Sequence, residues 1–508
     1  MAKLTTKPLQ FCCFFFILLF PILPATSSVD LVQTECLKVP FSQFSNSLLS
    51  TIDGVRQVMT IFSPFTKLLG DLRLSTAISD CLDLLDSSVD QLSWSLSATQ
   101  NPKAKDYSTG DLSSDLKTWL SAAVVNPETC IDGFEGTNSF IKGLVSGGID
   151  QLTSQLYDLL SMVKSFPNNQ PAEFPSWVKS EDRNLLHLND LAADATVAAD
   201  GTGDFTSVMD AVRAAPDNSI QRYVIYIKRG VYLENVEIKK KKWNLMMIGD
   251  GIDATIISGK RNFVDGWTTF RSATFAVSGR GFIARDITFE NTAGPEKHQA
   301  VALRSDSDLS VFFRCRIRGY QDTLYTHTMR QFYRECQISG TVDFLFGDGT
   351  VVFQNCTILA KKGLPNQKNT ITAQGRKDPN QPTGFSIQFC NISADSDLEP
   401  LVNTTATYLG RPWKEYSRTI IMQSYMSDAI RPEGWLEWNG DFALNTLFYA
   451  EFMNHGPGAR LAKRVNWPGY RRLNHTSEAT NFTVAQFIEG NMWLPSTGVK
   501  FTAGLGAN

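Results

Sequence analysis

The 508-residue chain contains no Gly-x-Ser-x-Gly sequence and no cysteines spaced Cys-x-x-Cys. The first absence disfavours a serine hydrolase built on a nucleophile elbow. The second removes the spacing that zinc and redox sites use, so no metal and no cofactor is expected. No histidine precedes His187. Neither sign of charge dominates, with 48 Lys+Arg against 51 Asp+Glu and a net charge of −3. That balance gives no reason to expect a nucleic-acid partner. Beyond the first two dozen residues no run is apolar enough to span a membrane. What remains, 43% hydrophobic and 19% charged, is the composition of a globular protein. The length exceeds what one ordinary core organises, so two or more units are expected.

The one long apolar run is at the start. Lys3 and Lys7 precede Phe11–Phe20, the run continues past Pro21 to Leu23, and small residues follow at Ala25-Thr26-Ser27-Ser28. This reads as a cleaved signal peptide over residues 1–28 and predicts a secreted, extracellular protein. Of nine cysteines, Cys12 and Cys13 leave with that segment. Cys36, Cys81 and Cys130 lie in the first half, with Cys36 the odd one out. Cys315, Cys336, Cys356 and Cys390 lie in the second. In an oxidising compartment these are disulfide candidates. Five Asn-x-Ser/Thr sequences, at Asn355, Asn391, Asn403, Asn474 and Asn481, are glycosylation candidates. Asn355 sits inside a strand-like run.

Residues 29–165 carry apolar residues at helical spacing, as in Leu72, Leu74, Ile78, Leu82, Leu85, Val89 and Leu92. They predict a helical bundle. Asp80, Asp83, Asp86 and Asp90 lie about one helical turn apart and read as a solvated face. Residues 166–186, with Pro167, Pro171 and Pro175, form a linker. It ends in Asp182-Arg183-Asn184-Leu185-Leu186, where a protease has a candidate site. Charge divides at the same place: 13 Lys+Arg against 19 Asp+Glu in residues 1–184, and 35 against 32 in the remainder, net −6 and +3. The mild basic excess fits a polyanionic partner.

From Ala195 short β-rich runs alternate with turns: Tyr223–Ile227, Leu245–Ile248, Phe282–Phe289, Val311–Ile317, Val351–Leu359, Phe385–Phe389 and Thr419–Met422. Cys315, Cys336 and Cys356 recur at 21 and 20 residues inside similar phrases, and Asp322 and Asp343 are also 21 apart. A period near 20 with short strands predicts a β-solenoid. Stacked coils sit one strand spacing apart, about 4.7–4.9 Å. That lies within the Cα separation of a disulfide, so cysteines of neighbouring coils can approach, their pairing left open. The same period places Gln299, Asp322 and Asp343 on successive coils of one face. Two adjacent carboxylates split into an acid and an anion. Gln299 and Gln321 can donate to a developing oxyanion, and Arg411 can hold one Asp ionised. The constellation suits acyl transfer without serine or histidine. A glycosidase also uses an acid pair.

These residues sit in phrases that resemble the pectin methylesterase family: Gly-Val-Tyr-Leu-Glu (230–234), Gln-Ala-Val-Ala-Leu (299–303), Gly-Tyr-Gln-Asp-Thr-Leu-Tyr (319–325), Asp-Phe-Leu-Phe-Gly (343–347) and Leu-Gly-Arg-Pro-Trp (409–413). The resemblance implies a right-handed parallel β-helix over residues 187–508 and demethylation of homogalacturonan in the cell wall, with methanol released. It implies Asp343 as nucleophile, Asp322 as proton donor and then base, and Gln299 and Gln321 as oxyanion donors. Arg411 orients Asp343, Trp413 offers a sugar platform, and Thr269 contacts substrate. The departures are Leu345, where the family more often has Ile, and Gly347-Asp348-Gly349 in place of Gly-Asn-Ala. The Lys239–Lys242 run reads as a solvated edge, with pectin binding as the alternative.

Residues 29–165 resemble the invertase and pectin methylesterase inhibitor-like domain, a four-helix bundle, through Ser79-Asp80-Cys81-Leu82 and Thr129-Cys130-Ile131-Asp132-Gly133-Phe134. That likeness implies a Cys81–Cys130 bridge and a pro-region that blocks activity or aids export. Methyl-esterified pectin, a proteinaceous inhibitor and a processing protease are the expected partners of a monomer. Two other readings are weighed beside it. One is a protein acting through its first domain as an inhibitor or wall-binding module. The other is a β-helix lyase or glycosidase, which reducing-end assays on demethylated pectin would separate.

Overall fold

A computed structural model describes residues 29–67, 70–101, 109, 111–137, 140–164 and 192–506, with backbone alone at 29–40, 66 and 67. The signal peptide and the linker lie outside the described residues, as does the Cys36 side chain. Residues 1–44 form one unit, whose described part is helical from Val29, and residues 45–508 form another.

Among the described residues the long helices are α1 (Val29–Phe62), α2 (Leu72–Gln100), α3 (Leu112–Asp132) and α4 (Phe140–Val163). Asp71 starts α2 by accepting from the amides of Arg73 and Leu74 at 2.9 and 3.3 Å. Asp111 does the same for Ser114 at the start of α3. Each cap satisfies donors that a helix start leaves free. Ile78, Leu85 and Leu92 of α2 are fully buried, together with Trp119, Leu120 and Ala123 of α3 and Leu152, Leu156 and Leu159 of α4. Residues three, four or seven apart share one helix face, which is why the periodic apolar positions become the core. A disulfide joins Cys81 of α2 to Cys130 of α3.

From Ala195 the strands are all parallel and form three sheets of 11, 7 and 8 strands, each sheet taking one strand per coil. This is a parallel β-helix. Residues at equivalent coil positions stack into ladders: Ile317, Ile338, Ile358 and Ile392 pair in register and are fully buried. Phe312, Tyr333 and Phe353 form another, with rings 4.8 and 4.9 Å apart. Three expected strands are each broken in two. Val311–Ile317 becomes Ser310–Phe313 and Arg316–Arg318, and Val351–Leu359 and Phe282–Phe289 split likewise. The break is a corner whose residue is left-handed: Asp286, Arg314, Glu335, Asn355, Phe389 and Gln423 all have φ between 49° and 59°. A strand run fills one side of a coil only, and the corner must turn sharply to begin the next.

Cys315, Cys336, Cys356 and Cys390 each follow such a corner and are buried free thiols. The bridge between neighbouring coils does not form. Stacked side chains point the same way at one strand spacing, about 4.8 Å. A disulfide needs its Cβ atoms nearer, about 3.8 Å. A fitting Cα distance was not sufficient.

The helical region packs on the β-helix through charge. Arg330 is buried, paired with Asp308 at 2.7 Å in its own domain, with Asp115 of α3 at 2.8 Å and with Glu489 near the C-terminus at 3.1 Å. Burial pushes Glu489 up to about 7. In the Asp80–Asp90 series only Asp80 leaves solvent, while Asp83, Asp86 and Asp90 stay partly exposed but are paired. Asp80 is fully buried against Arg271 at 2.7 Å, and the other three pair with Arg271, Lys239 or Lys240. Likewise Lys239 and Lys240 are not a free edge. Sequence periodicity located the α2 acids on one face, but the cations opposite them come from residues more than 140 positions later.

The Cys81–Cys130 bridge closes a loop with a sequence separation of 49. Loop-closure entropy for that length contributes about 4 kcal/mol. Replacing both with serine should lower the denaturant midpoint of the helical region, read by tryptophan fluorescence. An unchanged midpoint would contradict this.

Candidate active site

Strands Leu303–Ser305, Leu324–Thr326 and Leu345–Gly347 are consecutive neighbours of one sheet, with Leu303, Leu324 and Leu345 in register. The residues just before each strand therefore stack as well. The amide of Ala300 donates to the Gln321 carbonyl, and that of Asp322 to the Val342 carbonyl. Gln299, Gln321, Asp322 and Asp343 are so brought to one wall of a cavity of about 330 Å³, which Thr269, Arg411 and Trp413 also line. Every residue singled out for chemistry in the sequence lines this one cavity.

Both aspartates are left-handed, with φ of 60° at Asp322 and 50° at Asp343. Only a few per cent of non-glycine residues adopt this conformation, with Asp and Asn enriched. Here it belongs to the coil corner, and it turns the side chains out of the core toward the cavity. The Asp343 carboxylate is held at both oxygens by Arg411, from Nε at 2.8 Å and Nη2 at 2.7 Å. Thr370 Oγ1 donates to the same carboxylate at 2.6 Å and accepts from the Asp343 amide at 2.9 Å. A bidentate guanidinium fixes direction as well as charge. Asp322 has the opposite environment. Burial, then the neighbouring Asp343 charge, hold its carboxyl well above the usual carboxylate range, and Arg411 offsets this only in part. The two carboxyls therefore differ in partners: a guanidinium and a hydroxyl on Asp343, and burial beside a neighbouring acid for Asp322.

The aromatic floor is assembled from several coils. Tyr325 stacks on Phe346 at 4.2 Å, and Trp413 meets Phe346 edge-on at 6.0 Å. Gly375 makes room for this: a Cβ there would lie 2.8 Å from the Trp413 ring. Trp438, 37% exposed at the cavity rim, stacks on the Arg411 guanidinium at 4.3 Å. Thr370 and Trp438 were missed in the sequence. Thr370 has no motif of its own, and Trp438 sat unremarked in Trp-Leu-Glu-Trp. His298 is exposed and takes no place in the cavity lining.

The same cavity is lined by α3 and the turn after it: Thr129, Asp132, Gly133 and Glu135. Thr129 Oγ1 bonds Nε2 of buried His327 at 2.9 Å. Lys377 pairs with Glu128 at 3.0 Å and Lys414 with Asp132 at 3.5 Å. The Glu135 charge also raises Asp322. The sequence Thr129–Phe134 that carries the inhibitor-like resemblance is thus the segment that lies over the dyad.

Residues 194–491 match the pectinesterase family model, and residues 23–165 match that of plant invertase/pectin methylesterase inhibitor. The chain belongs to the pectinesterase family. It is similar to pectinesterase/pectinesterase inhibitor PPE8B of Prunus persica, 71% identical over 497 residues that cover 97% of this chain and 95% of that protein. It is 62% identical to probable pectinesterase/pectinesterase inhibitor 44 of Arabidopsis thaliana, over 97% and 99% of the two chains. The solved pectin methylesterase from carrot aligns with a TM-score of 0.62 at 54% identity, covering 62% of this chain and 98% of that one. A pectin methylesterase solved in complex with a hexasaccharide aligns at 0.50 and 25%, covering 59% and 97%. Pectin demethylation is the family's function. Both parts of this pectinesterase, the β-helix and the inhibitor-type helices, are thereby accounted for.

One departure from the family phrase has a structural consequence. Asp348 is buried beneath the site and accepts from Gln374 at 2.9 Å, Gln381 at 2.6 Å and Thr383 at 2.5 Å. Burial nevertheless pushes it up to about 7 from an ordinary value near 3.8. Between those values the folded protein holds a proton that the unfolded chain has released. The stability this group contributes is complete below about pH 4 and is lost as pH rises through about 7. Asp348→Asn removes that loss. Its melting temperature relative to wild type should rise from pH 5 to pH 8, by the equivalent of about 2.7 kcal/mol. Parallel melting curves across that range would refute the assignment.

Proposed function

We propose that this chain is an aspartyl esterase that removes methyl groups from homogalacturonan, and that its helical region holds it inactive. The observation that carries the reading is the Arg411–Asp343 ion pair beside a carboxyl, Asp322, that keeps its proton. Asp343 attacks the methyl-ester carbonyl of galacturonate, and the carbonyl electrons move onto oxygen. Gln299 and Gln321 donate to that oxyanion, a contribution of about 10²–10³ in rate for each well-placed donor. As the intermediate collapses, the ester C–O bond breaks and Asp322 gives its proton to the methoxy oxygen, releasing methanol. An anhydride now joins substrate and Asp343. Asp322, as carboxylate, takes a proton from water, whose oxygen attacks the galacturonyl carbonyl. Collapse returns Asp343 as anion, Asp322 as acid and galacturonic acid, which releases its proton to solvent to leave as galacturonate. Trp413 and Thr269 are read as substrate contacts, with Trp413 supplying a flat face to a pyranose ring.

Access requires that Thr129–Glu135 leave the cavity. Processing at Arg183-Asn184-Leu185-Leu186 within residues 166–186 is the proposed route, giving a mature part from about residue 187. A separate inhibitor protein would be expected to use the surface that α2 and α3 occupy. Secretion to the cell wall, a monomeric state and glycosylation complete the reading. All five candidate asparagines are exposed, and Asn355, expected inside a strand, lies at a coil corner. Among the described residues no helix is long and apolar enough to cross a membrane.

A specific protease sequence placed within residues 166–186 of the full chain tests both halves. Methanol release from highly methylated pectin should be low before cutting and rise after cutting and a salt wash. Asp343→Ala should abolish it, by about 10³-fold or more, and Asp322→Asn should lower kcat by about 10²–10⁴. Equal release before and after cutting would remove the inhibitory role. Release by folded Asp343→Ala would remove the nucleophile.

A further inference from the structure

The acidic face of α2 meets a line of cations that the esterase chemistry does not use. Lys240 pairs with Asp86 at 2.5 Å and Asp90 at 2.6 Å, Lys239 with Asp83 at 3.2 Å, and Arg271 with Asp80 and Asp83 at 2.7 Å each. On the β-helix side one carboxylate, Glu237, serves this line, at 2.8 Å from Lys239 and 3.0 Å from Arg271. The cations are thus in excess of their own domain's acids and are neutralised by the helix. Thr268, Thr269 and Phe270, which immediately precede Arg271, line the active-site cavity, so the line begins at its edge. It then runs back along the coils. Lys239 and Lys240 follow strand Val236–Ile238, which neighbours Phe275–Val277, then Leu303–Ser305, then Leu324–Thr326 beside Asp322. Three strand spacings are about 14 Å.

We propose that Lys239, Lys240 and Arg271 form a binding stripe for a run of free galacturonates, and that α2 neutralises it by presenting carboxylates in place of theirs. The proposal rests on the pectin reading of the site. De-esterified homogalacturonan is a regular row of carboxylates, one per pyranose ring. The α2 acids are a row as well: steps of three, three and four residues rise about 4.5–6 Å, comparable to the length of one ring. A chain lying in the cleft and continuing along the coils brings already demethylated rings over the stripe. Two lysines and an arginine outweigh the one internal acid, Glu237, so the net field attracts such a row.

The test uses the full chain carrying Asp343→Ala, so that binding is read without turnover. The probe is fully de-esterified polygalacturonate in an affinity gel at low salt. D83N/D86N/D90N should bind at least about ten-fold tighter than the parent. Adding K239Q/K240Q should return binding to the parent level, whereas adding K463Q/R472Q, an equal charge change at two exposed positions, should not. Lysine acetylation read by mass spectrometry is run beside it. Polygalacturonate should protect Lys239 and Lys240 but not Lys463, both in D83N/D86N/D90N and in the linker-cut chain after a salt wash, where the stripe is uncovered whatever the substitutions do. Equal effects of the two lysine pairs, or no protection in the cut sample, would overturn the stripe. Methanol release by the active chain without protection would sink the stripe and leave the esterase. Protection without methanol release would do the reverse.

Discussion

Everything in the catalytic part depends on one spacing, the hydrogen-bonded distance between parallel strands of successive coils. It fixes which residues meet. Positions about 21 apart in the chain become nearest neighbours, so Leu303, Leu324 and Leu345 stack, and the residues before them build the site. The same spacing stacks four cysteines that remain buried free thiols. The corners are its complement. A coil closes only if one residue turns left-handed, and Asp322 and Asp343 occupy such corners. The conformation that would be a cost in a strand is here a property of the scaffold, and the two carboxyl groups are aimed by the backbone itself.

The division of labour between these two acids follows from what surrounds each. Asp343 has a guanidinium on both oxygens and a threonine hydroxyl on one. Asp322 is equally buried but faces the charge of Asp343, and later that of Glu135 from the helical region. Two identical side chains at equivalent positions therefore have different surroundings, because Arg411 reaches only Asp343 with both nitrogens. Arg411 arrives from a strand two coils beyond Asp343, with Trp438 stacked on its guanidinium.

Charge also organises the contact between the two domains. The helical region brings carboxylates, and the β-helix receives them on Arg271, Lys239, Lys240 and the buried Arg330. Ion pairs at an exposed rim contribute little each, and salt weakens them. The Arg330 cluster differs because it is dry, and removing one partner leaves an uncompensated charge. A cover held in this way is specific in register yet sensitive to ionic conditions.

The sequence alone determined the solenoid, its period, the acid pair with its glutamines and arginine, and the helical character of the first part. These are legible because coil stacking and helical periodicity convert spacing directly into neighbourhood. It did not determine that apolar runs break at corners, since apolar residues occupy the strands on either side and only φ separates them. Nor did it reveal Thr370 as a support for Asp343, or that Asp80 would be buried and the rest of the Asp80–Asp90 series paired. The partners of those groups lie from 27 to nearly 200 residues away, at distances no local pattern encodes. The tertiary structure alone decided that the segment Thr129–Glu135 lies over the dyad. Docking of two folded surfaces depends on their charges and shapes once formed, and neither exists until each chain segment has folded.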